Sequence, residues 1–66
     1  MASVAKTIEI SADSTESFEM AIQSGINKAQ DSIDNLKSVW VKDQEVLLDS
    51  GTPNYRVKLK ATFALN

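Results

Sequence analysis

The residues able to do chemistry in this chain are few. Among its 66 residues there is no histidine and no cysteine. That removes the commonest general base, the commonest metal ligand and every catalytic arrangement built on imidazole. It also removes disulfides, thiolate metal sites and thiol nucleophiles. What remains is a single tryptophan, Trp40, an alternating basic run of Arg56, Lys58 and Lys60, the amide of Gln44, and the acids Asp43, Glu45 and Asp49. An indole can stack on a planar ligand or fill a subunit interface. The basic run could hold a phosphate, or pair across strands with Glu9 and other carboxylates. Gln44 could hydrogen-bond the polar edge of a ligand. Asp43, Glu45 and Asp49 offer the oxygen atoms that calcium prefers, but their spacing is not that of an EF-hand loop, and surface acids are the simpler reading. Catalysis would have to rest on Asp, Glu, Lys or Tyr with shifted pKa values. No carboxylate pair or lysine is marked out for that, so the expectation is a binding protein and not an enzyme.

Four elements must position these residues. Residues 4–10 carry β-branched side chains and alternate, with Ile8 and Ile10 on one face and Thr7 and Glu9 on the other. Asp13 or Ser14 reads as the N-cap of a helix spanning residues 15–33. Phe18, Ala21, Ile22, Gly25, Ile26, Ala29 and Ile33, extending to Leu36, recur at helical spacing and form one apolar stripe. Gly25 on that stripe suggests close approach to a sheet. Asp34-Asn35 reads as a turn. Residues 38–48 alternate again, placing Val39 and Val41 on one face and Ser38, Trp40, Lys42 and Gln44 on the other. Asp43 and Glu45 then fall on the apolar parity, which predicts a bulge or an exposed strand end. Residues 49–54 are turn-rich and contain Pro53. Residues 54–65 alternate most regularly: Tyr55, Val57, Leu59, Ala61, Phe63 and Leu65 against Arg56, Lys58, Lys60, Thr62 and Ala64.

These elements predict an α+β fold of β-α-β-β order in a single domain over residues 1–66. The helix returns the chain, so the third strand fits between the other two, giving a three-stranded antiparallel sheet of order 1-3-2 packed on one helix. A domain this short buries only about 60% of the surface of its unfolded chain. The outer strands also have open edges, and both features point to a homo-oligomer. The net charge of −2 disfavours nucleic acid. The apolar runs are too short to span a bilayer and the start has no apolar signal core, so the expected setting is cytoplasmic, without membrane contact.

The sequence resembles the dodecin family over about its whole length. The resemblance runs through Lys6-Thr7-Ile8-Glu9-Ile10, Ser14-Thr15-Glu16-Ser17-Phe18, Ala21-Ile22, Ala29-Gln30-Asp31-Ser32-Ile33-Asp34-Asn35 and Tyr55 to Leu65. It implies a hollow homododecamer that binds and stores a flavin (FMN, riboflavin or FAD) at subunit junctions. Flavin-binding dodecins stack the isoalloxazine ring on a tryptophan early in the second strand, and a glutamine in the third strand hydrogen-bonds the ring edge. Counted without gaps, the tryptophan position falls on Ser38, with Trp40 two residues further on. The glutamine position, just after Tyr55, falls on Arg56. The implied cofactor-binding set is therefore Ser38, Trp40, Gln44 and Arg56, with no metal ligand and no catalytic residue. The alternative is a divergent dodecin without flavin, acting as a structural shell or as a binder of calcium or coenzyme A.

Overall fold

The computed structural model describes residues 3–49 and 51–65. Ser50, within the turn expected at 49–54, lies outside the described residues, as do Met1, Ala2 and Asn66 at the ends of the expected domain. The chain runs β1 (Ala5–Ser14), α1 (Phe18–Ser32), β2 (Leu36–Leu47) and β3 (Asn54–Ala64). The sheet order is β1-β3-β2, with β3 antiparallel to both neighbours. The α+β fold and strand order read from the sequence are those observed.

The alternation of β3 explains its central place. Val57, Leu59 and Ala61 are fully buried, as is Ala21 of α1, which packs in one cluster with Val57 and Leu59; Ala29 is buried too. Ile10 and Ala12 of β1 and Val39 and Val41 of β2 pack around this cluster, with Phe18 and Ile22 from the helix. Phe18 meets Tyr55 edge to face, ring centroids 5.1 Å apart. The small residues of the helical stripe bring the helix close to the sheet. A Cβ built on Gly25 would stand 2.7 Å from Leu59 Cδ1 and 3.3 Å from Ala12 Cβ, so any side chain there requires the buried Leu59 to shift.

Two boundaries differ from those read in the sequence. First, β1 does not end at residue 10. Ala12 pairs with Val57, Asp13 with Arg56 and Ser14 with Tyr55, because β3 is long enough to keep pairing and Ala12 continues the apolar parity of Ile8 and Ile10. The helix therefore starts at Phe18, and its N-cap is Ser17, whose Oγ accepts a hydrogen bond from Met20 N at 3.0 Å. Ser14 does not cap the helix. Its Oγ accepts from Glu16 N at 3.0 Å and holds the turn before it. Second, Leu36 is not on the helical stripe. The chain leaves the helix at Ile33, turns through Asn35 in the left-handed region (φ 61°) and enters β2 with Leu36 opposite Phe63. Asparagine tolerates that conformation better than most residues.

β2 carries two irregularities, between Leu36 and Ser38 and between Val41 and Asp43, the second of them the bulge expected there. The second resolves the parity conflict in the sequence. Lys42 is the extra residue, and beyond it Asp43 pairs with Lys58, Gln44 with Val57 and Glu45 with Arg56. The acids thereby leave the apolar side.

The molecule is 52 Å long, whereas the 15-residue helix covers about 22 Å at its rise per residue. The far end of the β2–β3 hairpin is consequently bare, with Val46 and Leu48 exposed. Replacing Gly25 by valine is expected to push α1 off Leu59 and Ala12. The overpacking should cost roughly 1–3 kcal/mol, outweighing the gain in helix propensity, and chemical denaturation at fixed protein concentration measures it.

Candidate functional site

The sheet face away from α1 carries the polar and aromatic residues in transverse rows. From one end to the other these are Thr7–Thr62–Ser38, Glu9–Lys60–Trp40, Ser11–Lys58–Asp43 and Asp13–Arg56–Glu45. Each row draws one residue from β1, one from β3 and one from β2. The Thr7 and Thr62 hydroxyls lie 2.9 Å apart.

Trp40 is 62% exposed, between rows of hydroxyl-bearing and charged residues. Lys60 Nζ lies over its ring, 5.6 Å from the centroid, within the range of a cation–π contact. The bulge residue Lys42 reaches across β3 to Glu9, donating to its two carboxylate oxygens at 3.3 and 3.2 Å. At the last row Arg56 grips Asp13 with both ends of the guanidinium, Nε to Oδ1 at 2.8 Å and Nη2 to Oδ2 at 3.0 Å. Asn54 Nδ2 adds a third hydrogen bond to Asp13 Oδ2 at 3.1 Å. The hydrogen bond from Arg56 is the main reason that the Asp13 carboxyl is held below its usual 3.8; desolvation opposes it, and the hydrogen bond from Asn54 and the charge of Arg56 add to the lowering. The same contact raises Arg56 further above its ordinary value, its charge attraction to Asp13 second.

The four site residues expected from the sequence are not one constellation in a single chain. Ser38 and Trp40 occupy adjacent rows on the same face. Arg56 is on that face too, but six residues along β3 from the Ser38 row, about 20 Å at the strand rise. Gln44 is a correction. The bulge at Lys42 moves it opposite Val57, on the parity of the helix-covered side, and not beside Trp40. It lines the rim of a shallow cleft of about 130 Å³ with Asp43, Glu45, Arg56 and Lys58. In the sequence Asp13 reads, beside Ser14, as a helix-cap candidate; its role as the partner that immobilises Arg56 emerges only from the strand pairing. The signal was the apolar Ala12, which extends the alternation of β1. Lys60 appeared in the sequence as one of a basic run, with nothing to single out its contact with the indole.

Asp43 and Glu45 share the polar face, opposite Lys58 and Arg56. Among the described residues no three acids are grouped so that they could hold a metal ion. No described helix is long and apolar enough to cross a membrane.

Known proteins share this fold. The family model for dodecin matches residues 4–66, and the chain belongs to the dodecin family. It is 36% identical over 64 residues to calcium dodecin of Mycobacterium tuberculosis, covering 96% of this chain and 90% of that one. The crystal structure of that calcium-chelating antigen, with a novel calcium-binding site, superposes with a TM-score of 0.87 at 35% identity, covering 97% of this chain and 93% of the other. An Arg-to-Ala variant of the Thermus thermophilus dodecin superposes at 0.89 with 29% identity over 98% and 97% of the two chains. The dodecin of Streptomyces davaonensis gives 0.88 and 28% over 97% and 96%.

The Asp13–Arg56 contact ties β1 to β3 only while Asp13 is ionised. Because its carboxyl titrates lower in the folded chain than in the unfolded one, the contribution is present above about pH 3.8 and is lost as pH falls through the depressed folded value. Asp13→Asn should therefore lower stability at neutral pH by a small amount, both partners being over a third exposed. Thermal melts from pH 7 down to pH 2 should show the difference from wild type closing at the acid end.

Proposed function

We propose that this dodecin is a self-assembling, non-catalytic binding protein that holds a flavin on its helix-free sheet face, with Trp40 as the stacking platform. The observation that carries the reading is the exposure of the only tryptophan in the chain among charged and hydroxyl-bearing neighbours. Apolar surface left in water costs about 25 cal/mol per Å², and a planar ring system is a partner that covers an indole without disturbing the strands beneath it. Membership of the dodecin family supports both self-association and small-molecule binding. The open edges of β1 and β2 and the bare hairpin end support self-association independently. Ser38, one row away, lines the edge of such a ligand. Arg56 is too far along the face to reach the same ring from the same chain, and Gln44 lies on the opposite parity. They contribute only from a neighbouring copy, in keeping with a site at a subunit junction.

A second reading, calcium binding, is favoured by the similarity to the calcium dodecin of M. tuberculosis. In that reading Asp43 and Glu45, turned to the polar face by the bulge, supply oxygen ligands completed from a second copy, as hard cations require more oxygen atoms than two side chains offer.

Titration with riboflavin and FMN, followed through both Trp40 emission and flavin fluorescence, tests the first reading. Both signals should be quenched, and Trp40→Ala should weaken binding roughly 5- to 150-fold, the span expected for one aromatic stack worth about 1–3 kcal/mol. Unchanged emission with either flavin rejects it. Calorimetry with calcium on the same sample decides the second reading, and light scattering should give a native mass twelve times that of the 7.2 kDa chain.

A further inference from the structure

We infer that Lys60, seconded by Lys58, makes the Trp40 platform selective for aromatic ligands that carry a negative charge, such as a phosphate ester. The inference rests on the reading of Trp40 as the stacking platform and adds the class of ligand it admits.

The cations of this face are not equivalent. Lys42 is committed to Glu9 and Arg56 to Asp13. Glu9 stands opposite Lys60 in the register, but both its carboxylate oxygens accept from Lys42. Among the described residues neither Lys58 nor Lys60 enters an ion pair, and the contact made by Lys60 is with the indole of Trp40. Two ammonium groups on alternate residues of β3 are thus left available at the platform. They lie in the Trp40 row and the next one.

The ammonium of Lys60 over the Trp40 ring then acts as a selector. A neutral ring that lands on the indole displaces the ammonium and gives it nothing in return. An anionic ring displaces the same ammonium but accepts its charge, and Lys58 lies within one row to share it. Breaking an exposed cation–π pair of this kind amounts to about a two- to fivefold penalty in affinity. The anion recovers that and more at low ionic strength, where exposed charges are least screened.

The test compares FMN with riboflavin, which differ by the phosphate, on the assembled protein. Wild type should bind FMN roughly three- to tenfold tighter at low salt, and the ratio should approach one in high salt. Lys60→Met should bring the ratio close to one by weakening FMN while leaving riboflavin equal or tighter; Lys58→Met should weaken FMN alone. Calorimetry with 1-naphthyl phosphate and 1-naphthol, run in parallel, separates the two proposals. If both flavins bind equally to wild type, or Lys60→Met leaves the ratio unchanged, the selector is overturned and the flavin reading stands. If neither flavin binds but naphthyl phosphate does, with a preference over naphthol that Lys60→Met removes, the flavin reading falls and the selector stands. If neither flavin nor naphthyl phosphate binds, both fall. Should Lys60→Met not fold, the Lys58→Met and salt arms decide on their own.

Discussion

Every other element takes its position from β3, which is hydrogen-bonded on both sides and buried against α1. Its period of two is enforced by Val57, Leu59 and Ala61, all without solvent contact. A slip by one residue would carry these side chains to the polar face and Lys58 and Lys60 into the core, at a cost no small domain could absorb. The register of β1 and β2 follows from that of β3. So does the composition of the rows on the opposite face, since each is completed by a β3 residue between two partners.

The same strand links the core to the site. Residues that alternate with the core positions, Arg56, Lys58, Lys60 and Thr62, form the central column of the polar face. Their spacing is fixed by packing on the other side of the sheet. What each does there is decided by its neighbours on the outer strands: a carboxylate for Arg56, an indole for Lys60, a hydroxyl for Thr62. The chain thus presents a fixed lattice of cations whose availability is set locally, with one end locked by Asp13 and the middle open.

Much of this was legible in the sequence wherever burial imposes a period. The alternation of residues 54–65 marked the central strand, and the stripe from Phe18 to Ile33 marked the helix and its sheet-facing glycine. Boundaries were less legible where one residue suits two structures. Asp13 and Ser14 are good caps, yet they also extend an alternating strand, and pairing with a long β3 prevailed. The conflict at Asp43 and Glu45 announced a bulge but not the residue that forms it, and counting straight through Lys42 put Gln44 on the wrong side. The site was legible as residue types and only partly as neighbours. Contacts such as Lys42 with Glu9, 33 residues apart, depend on strand order and register together.

The irregularity at Lys42 amounts to a change of phase within one strand. From Ser38 to Val41, even-numbered residues of β2 lie on the helix-free side; after Lys42, odd-numbered ones do. The two halves of the strand are therefore under separate rules. The half next to α1 must match a core, whereas the outer half answers only to what meets it in solution. One extra residue lets the hairpin arm present its acids on the helix-free side without moving the packed half.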